Sequence, residues 1–146
     1  MTAMLDPLAS YSFFVEIDGI TVAQFRECSG IGISVGIIEN RGTAKGGQPV
    51  LQKLPGSIKY DDIHLARGKV NDKLLWDWIK TVQEGKITEA RKDGAITLFD
   101  YAHGEAARYS FFDGWPSRVE LGKLTAGGDS VLLETVVITV GRIEVK

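Results

Sequence analysis

From Ile31 to Gly68 the chain runs in extended patterns with no sustained helical period, and this stretch constrains the fold more than any other. Ile31 to Glu39 is rich in β-branched residues, whose side chains suit a pleated, half-buried backbone. Asn40 to Pro49 follows, with Gly42, Gly46 and Gly47, the cations Arg41 and Lys45, and no hydrophobic anchor. Val50 to Leu54 then resumes the extended pattern and leads into Lys53-Leu54-Pro55-Gly56. This arrangement predicts a long hairpin arm with a flexible polar tip. Ile58 and Tyr60 share one side, but Ile63 and Leu65 are one residue out of phase with them. A bulge or turn at Asp61-Asp62 would restore the buried face.

The rest of the chain is also strand-rich. Phe13, Val15 and Ile17 alternate with Ser12, Glu16 and Asp18, the period of a half-buried strand, and Phe14 adds an apolar residue to the polar face. Asp18-Gly19 is a tight-turn pair, and Thr21 to Cys28 reads as a returning strand. Ile87 to Arg91, an Asp93-Gly94 turn and Ala95 to Asp100 read as a second hairpin. Ala106 to Phe112 alternates with Tyr109 and Phe111 on one face; Trp115-Pro116 breaks the run, and Arg118 to Leu121 resumes it. After Gly127-Gly128-Asp129, the apolar run Val131 to Val140, extending to Val145, is too β-branched for a helix and predicts a central strand crossing from core to interface.

One helix stands out. Leu75, Trp78, Ile79 and Val82 recur at helical spacing, Asn71 or Asp72 supplies an N-cap, and Gly85 is placed to end it. So short a helix cannot bury its stripe alone and must cap a sheet or barrel end. The expected fold is mainly β, a β-barrel or two packed antiparallel sheets, with one short α-helix and a protruding arm. No repeat or linker interrupts it, so one domain over 1–146 is expected.

Composition excludes several function classes. The formal net charge of −2 lacks the basic excess of a nucleic-acid clamp. The single cysteine, Cys28, precludes an internal disulfide. No run approaches the roughly 18 apolar residues of a membrane span, and Met1 to Pro7 lacks the features of a secretory signal. Catalytic constellations are also missing. His64 and His103 have no partner at metal-ligand or triad spacing. Cys28 reads as a small buried hydrophobe. Asp61 and Asp62 are adjacent on a strand and point to opposite faces. Gly42 to Gly47 lacks the Lys-Ser/Thr ending of a phosphate loop. Trp76, two residues from the stripe residue Trp78, is expected at an edge or subunit boundary rather than on a ligand. A β-rich domain with a projecting arm and no chemistry points to assembly. The rival readings are a monomeric ligand-binding β-barrel module and an enzyme using His64, Asp61 and Asp62.

Several motifs in order strengthen the assembly reading. They are Phe14-Val15-Glu16-Ile17-Asp18-Gly19-Ile20, Phe25-Arg26-Glu27-Cys28-Ser29-Gly30, Ile38-Glu39-Asn40-Arg41-Gly42, Lys53-Leu54-Pro55-Gly56, Ile63-His64-Leu65-Ala66-Arg67-Gly68, Leu75-Trp76-Asp77-Trp78, Gly114-Trp115-Pro116-Ser117 and Glu134-Thr135. Together they resemble the tail-tube proteins of contractile phage tails and contractile injection systems, the gp19-like tube family. The chain departs from that pattern at Thr43, at Ala66 and in its last residues, Gly141 to Lys146.

The resemblance implies a fold like the haemolysin-coregulated tube protein of type VI secretion. It implies hexameric rings stacked into a hollow tube inside a sheath, with no enzymatic activity and no cofactor. The implied partners are further copies of the chain, a sheath protein, baseplate or spike proteins, a terminal cap protein, and a lumenal cargo of effector protein or phage DNA, with no direct membrane insertion. Assembly in the bacterial cytoplasm is implied, as part of an extracellular, membrane-attached or virion particle. The arm, Ile38 to Gly56, would make the contacts between rings through Asn40, Arg41, Gly42, Thr43, Ala44, Lys45, Gly46, Gly47, Leu54, Pro55 and Gly56.

Overall fold

The structure, a computed structural model, describes residues 13–18, 25–100 and 104–146. Its strands are β1 (Phe13–Ile17), β2 (Glu27–Ser29), β3 (Ile33–Thr43), β4 (Pro49–Tyr60), β5 (Ile63–Gly68), β6 (Lys92–Phe99), β7 (Glu105–Leu121), β8 (Leu133–Thr139) and β9 (Arg142–Val145). Between β5 and β6 lie two helices, α1 (Leu74–Gln83) and α2 (Ile87–Ala90).

All pairings are antiparallel. Seven strands follow the order β1-β6-β7-β8-β5-β2, with β9 also on β7; β3 and β4 form a separate two-stranded ribbon. The long strand β7 belongs to both halves of the larger array. Its first part pairs with β6 and β9, and from Trp115 onward it pairs with β8. Both halves turn their apolar faces into one core. Val15, Ile17, Ile96, Phe111 and Ile143 come from one half, Ile63, Leu65, Val136 and Ile138 from the other, and Leu75 and Trp78 from α1. Among the described residues the strand path does not close on itself, so of the two forms expected it is the packed-sheet one.

The alternation expected in β1 is present, with Val15 and Ile17 buried and Glu16 exposed. The helix is also where its period put it. Lys73 occupies the cap position, while the Asp72 carboxylate accepts the Leu74 N–H at 3.3 Å. At the far end Gly85 has φ +79, its N–H donates to Val82 O, and the Lys86 N–H donates to Thr81 O. These paired bonds around a left-handed residue satisfy the last carbonyls of the helix. Trp78, buried on the stripe, donates its indole N–H to Ala90 O at 2.6 Å and ties α1 to α2.

Four expectations need correction. Thr21 to Cys28 does not return along β1: the described part, β2, pairs with β5, and residues 21–24 lie outside the described residues. Ile87 to Arg91 is not a strand. Residues 87–90 form a single helical turn, a second helix where one was expected, and Asp93-Gly94 lies inside β6. Glycine is required at 94 for closeness rather than for turning, since a Cβ there would overlap Glu16 O and the Phe111 ring. Trp115-Pro116 does not end a strand. The register shifts between Pro116 and Arg118, and such an irregularity is where a strand accepts a residue without an N–H. Val131 to Val145, conversely, is two strands. It breaks at Val140-Gly141, where the Gly141 N–H donates to Phe112 O. The strand that crosses between sheets is β7.

Candidate assembly interface

The β3–β4 ribbon is the long hairpin expected from the sequence. Its register runs from Ile33 opposite Tyr60 to Thr43 opposite Pro49. The Ala44 N–H donates to Gln48 O at 2.7 Å and the Gly47 N–H to Ala44 O at 3.0 Å, which closes the tip. Every residue of β3 is exposed.

The register slips between Val35 and Ile37, where Gly36 stands against both Gly56 and Ser57. Lys53-Leu54-Pro55-Gly56 therefore leads into a bulge, which bends and twists a ribbon and resets which β4 side chains share a face. Ile33, Val35 and Ile37 line one side of β3, opposite Tyr60, Ile58 and Pro55. Further out the same side carries Glu39 opposite Lys53 and Arg41 opposite Leu51, while Ile38 pairs with Leu54 on the other side. Ile33, Val35, Ile37, Ile38, Leu51 and Ile58 are each about half exposed or more, with Ile37 reaching 69%. An isolated two-stranded ribbon is marginal in water, and open apolar surface of this extent is of the kind that contact sites present.

The expected contact residues fall into two sets. Asn40 to Gly47 form the outer end of the ribbon, whereas Leu54, Pro55 and Gly56 lie at its bulge. Trp76 belongs to a different element. It stands on α1, 36% exposed, and donates its indole N–H to Glu134 Oε2 at 2.7 Å. With its polar atom engaged inside the chain, the ring alone is presented outward.

That indole belongs to a charged network the sequence reading did not anticipate. Arg67, 2% exposed, donates from Nε to Glu134 Oε1 at 3.0 Å and from a terminal nitrogen to the same oxygen at 2.8 Å. It also donates to both Asp72 carboxylate oxygens. Lys69 Nζ lies 3.1 Å from Glu134 Oε2 and donates to Asp72 O. Burial pushes the Glu134 carboxyl up, but the hydrogen bonds from Arg67, Trp76 and Lys69 with the Arg67 charge outweigh it and hold it below the usual carboxylate range. Asp72 is lowered chiefly by the Arg67 hydrogen bond. Burial opposes the charge of Arg67, and the two carboxylates more than compensate. A signal existed: Arg67 is in phase with Ile63 and Leu65, and Glu134 with Val136 and Ile138. Opposite charges on the inward phase of two strands pair most simply with each other.

The other candidate groups do not converge. Cys28 is half-buried, and burial pushes its thiol up to about 11, away from a thiolate nucleophile. Asp61, Asp62 and His64 are exposed, and His103 lies outside the described residues. Among the described residues no group of three His, Cys, Asp or Glu side chains is placed to hold a metal, and no helix is long and apolar enough to cross a membrane.

Comparison with known proteins agrees with the assembly reading. The family model of the T4-like virus tail tube protein gp19 matches residues 9–144. No curated protein matches the sequence. Among solved structures, a chain of the sheath–tube complex of the extracellular contractile injection system PVC in its extended state superposes with a TM-score of 0.81 at 22% identity, over 96% of this chain and 91% of that one. A chain of the anti-feeding prophage cap gives 0.81 at 21% identity, over 100% and 95%. Hcp1 from Flavobacterium johnsoniae gives 0.55 at 14% identity, over 91% and 93%.

Proposed function

The chain belongs to the T4-like virus tail tube protein gp19 family, and from that premise we propose that it is the subunit of the inner tube of a contractile injection system or phage tail. Copies close into hexameric rings, and rings stack through a contact that repeats without closing along the axis. The β3–β4 hairpin is the main contact between rings. The observation that carries this reading is the hairpin itself: two long strands that, among the described residues, pair only with each other and hold their aliphatic side chains open to solvent.

The proposed role is mechanical. A sheath surrounds the tube, a baseplate or spike starts it and a cap ends it. Contraction of the sheath drives the tube and its cargo, effector protein or DNA, into a target. The subunit performs no catalysis and needs no cofactor. It is made and assembled in the bacterial cytoplasm and acts in an extracellular, membrane-attached or virion particle. The rival reading, a ligand-binding barrel, requires an internal cavity. Here Phe111, Ile63, Leu65, Leu75 and Ile138 occupy the interior.

Negative-stain microscopy of the purified chain tests the reading. Rings or filaments are expected, with stacking lost when residues 41–47 are deleted. A chain that stays as single particles at every concentration, or one that stacks normally without those residues, would end it.

A further inference from the structure

The bulge divides the hairpin into two lengths of ladder with different attachments. The inner length, from Ile33 opposite Tyr60 to Val35 opposite Ile58, belongs to the body. Tyr60 packs on the core, and the Asp61 N–H donates to Gly32 O at 3.0 Å. The outer length runs from Ile37 opposite Pro55 to Thr43 opposite Pro49 and is closed by the tip turn. Cross-strand pairs such as Glu39 with Lys53 and Ile38 with Leu54 hold it together. Every residue of its two strands is exposed, so its direction is set at one place, the bulge.

The bulge lacks what makes a ribbon stiff. One residue of β3, Gly36, stands against two of β4, Gly56 and Ser57, so the ladder is interrupted there. Two of the three are glycines, and no pair of side chains bridges the strands at that level. The next residue out, Pro55, brings no N–H to the ladder.

The two glycines serve different ends. Neither has a left-handed backbone. A Cβ at 56 would lie 3.1 Å from Gly36 O and 3.2 Å from Ile38 Cγ1, so closeness accounts for glycine at that position. A Cβ at 36 would have atoms of Ser57 as its nearest neighbours, at 3.4 and 3.5 Å, which is ordinary contact. Fit does not call for glycine at 36, and glycine inside a strand weakens it because so much backbone freedom is lost on folding. What Gly36 supplies is that same freedom, at the point where the ladder is interrupted.

We propose that the bulge is a joint, about which the outer hairpin swings as one unit on a root fixed to the body. The joint is a property of the free chain and does not depend on what the chain assembles into. Where the tube reading holds, it lets one arm fit a neighbouring ring along the tube and a baseplate or cap protein at its ends.

Distances between spin labels test it, measured by double electron–electron resonance in a Cys28→Ala background, below the concentration at which the chain assembles. Labels at Thr43→Cys and Glu120→Cys read the outer hairpin against the body, and labels at Lys59→Cys and Glu120→Cys read the root; all three positions are exposed. The first pair is expected to give a distance distribution about twice as wide as the second, or wider, since the outer length samples several directions. Deleting Ser57 leaves Gly36 opposite Gly56 in an unbroken register, and Gly36→Ala fits the existing backbone. Each change is expected to narrow the first distribution toward the second, by removing the interruption or the backbone freedom.

A first distribution as narrow as the second in the unaltered chain overturns the proposal. So does a wide one that neither change narrows, which puts the motion elsewhere. Gly36→Ala chains that keep the wide distribution but no longer form filaments assign Gly36 to the close approach of a partner backbone, and overturn it too. None of these outcomes touches the tube reading, which is decided by rings, filaments and the deletion of 41–47.

Discussion

Glu134 is fully buried in phase with the core residues Val136 and Ile138, and a carboxylate there is stable only while its charge is met. Removing Arg67 leaves it unmatched, so Arg67→Ala is expected to destabilise the fold by about 3–5 kcal/mol in urea denaturation. Arg67→Met combined with Glu134→Leu is expected to recover most of that loss, because replacing both charges removes both desolvation costs. The network also sets an acid limit. Glu134 and Asp72 are held below the usual carboxylate range, so the unfolded chain binds more protons than the folded one as pH falls. Their contribution is complete above the ordinary carboxylate pKa and disappears as pH drops through their lowered values. Urea midpoints should be flat near neutrality and fall steeply below about pH 4.5, with a shallower fall in Glu134→Gln, which removes one of the titrating groups.

Elements were legible where the period was clean. The stripe Leu75, Trp78, Ile79 and Val82 located α1, the alternation of Val15 and Ile17 located β1, and the glycine-rich tip between aliphatic runs located the hairpin. What failed was punctuation, because turn residues also serve other purposes. Asp93-Gly94 looked like a turn, but Asp93 accepts the Asp113 N–H and Gly94 makes room for Phe111. Pro116 looked like a break but sits at a register shift, and Gly141 divides what looked like one strand. Such roles depend on residues far along the chain, which local spacing does not encode. Arg67 and Glu134, 67 residues apart, were missed for the same reason, although the phase of each was visible. The difference between turning and packing glycines is measurable. Gly85→Ala meets no neighbour and carries only the left-handed backbone cost, about 1 kcal/mol, whereas Gly94→Ala collides with Phe111 and a backbone carbonyl and is expected to cost more than about 2 kcal/mol by chemical denaturation.

At the scale of the molecule, the hairpin joins the body at its root, where Tyr60 packs on the core, and its outer end stands apart from that core. The core draws nothing from residues 41–47, so their deletion should shift the melting temperature by less than about 3 °C while abolishing stacking. Assembly should also respond to salt. A hairpin rich in cations is drawn to the acid-rich remainder of a neighbouring copy, and that attraction falls as the Debye length shrinks from roughly 10 Å at 0.1 M to roughly 3 Å at 1 M. Sedimentation should therefore show fewer long particles at high ionic strength; a rise in assembly with salt would mean that aliphatic contacts alone govern it.

The continuity of β7 bears on what happens under thrust. Its 17 residues, about 56 Å of main chain at the usual rise, are common property of both layers. Neither layer can slide past the other without tearing rungs of peptide hydrogen bonds from that one backbone. A load passed from one layer to the other therefore travels through covalent geometry instead of side-chain friction, and a pipe built from such bricks resists shear within each brick even where its seams are soft.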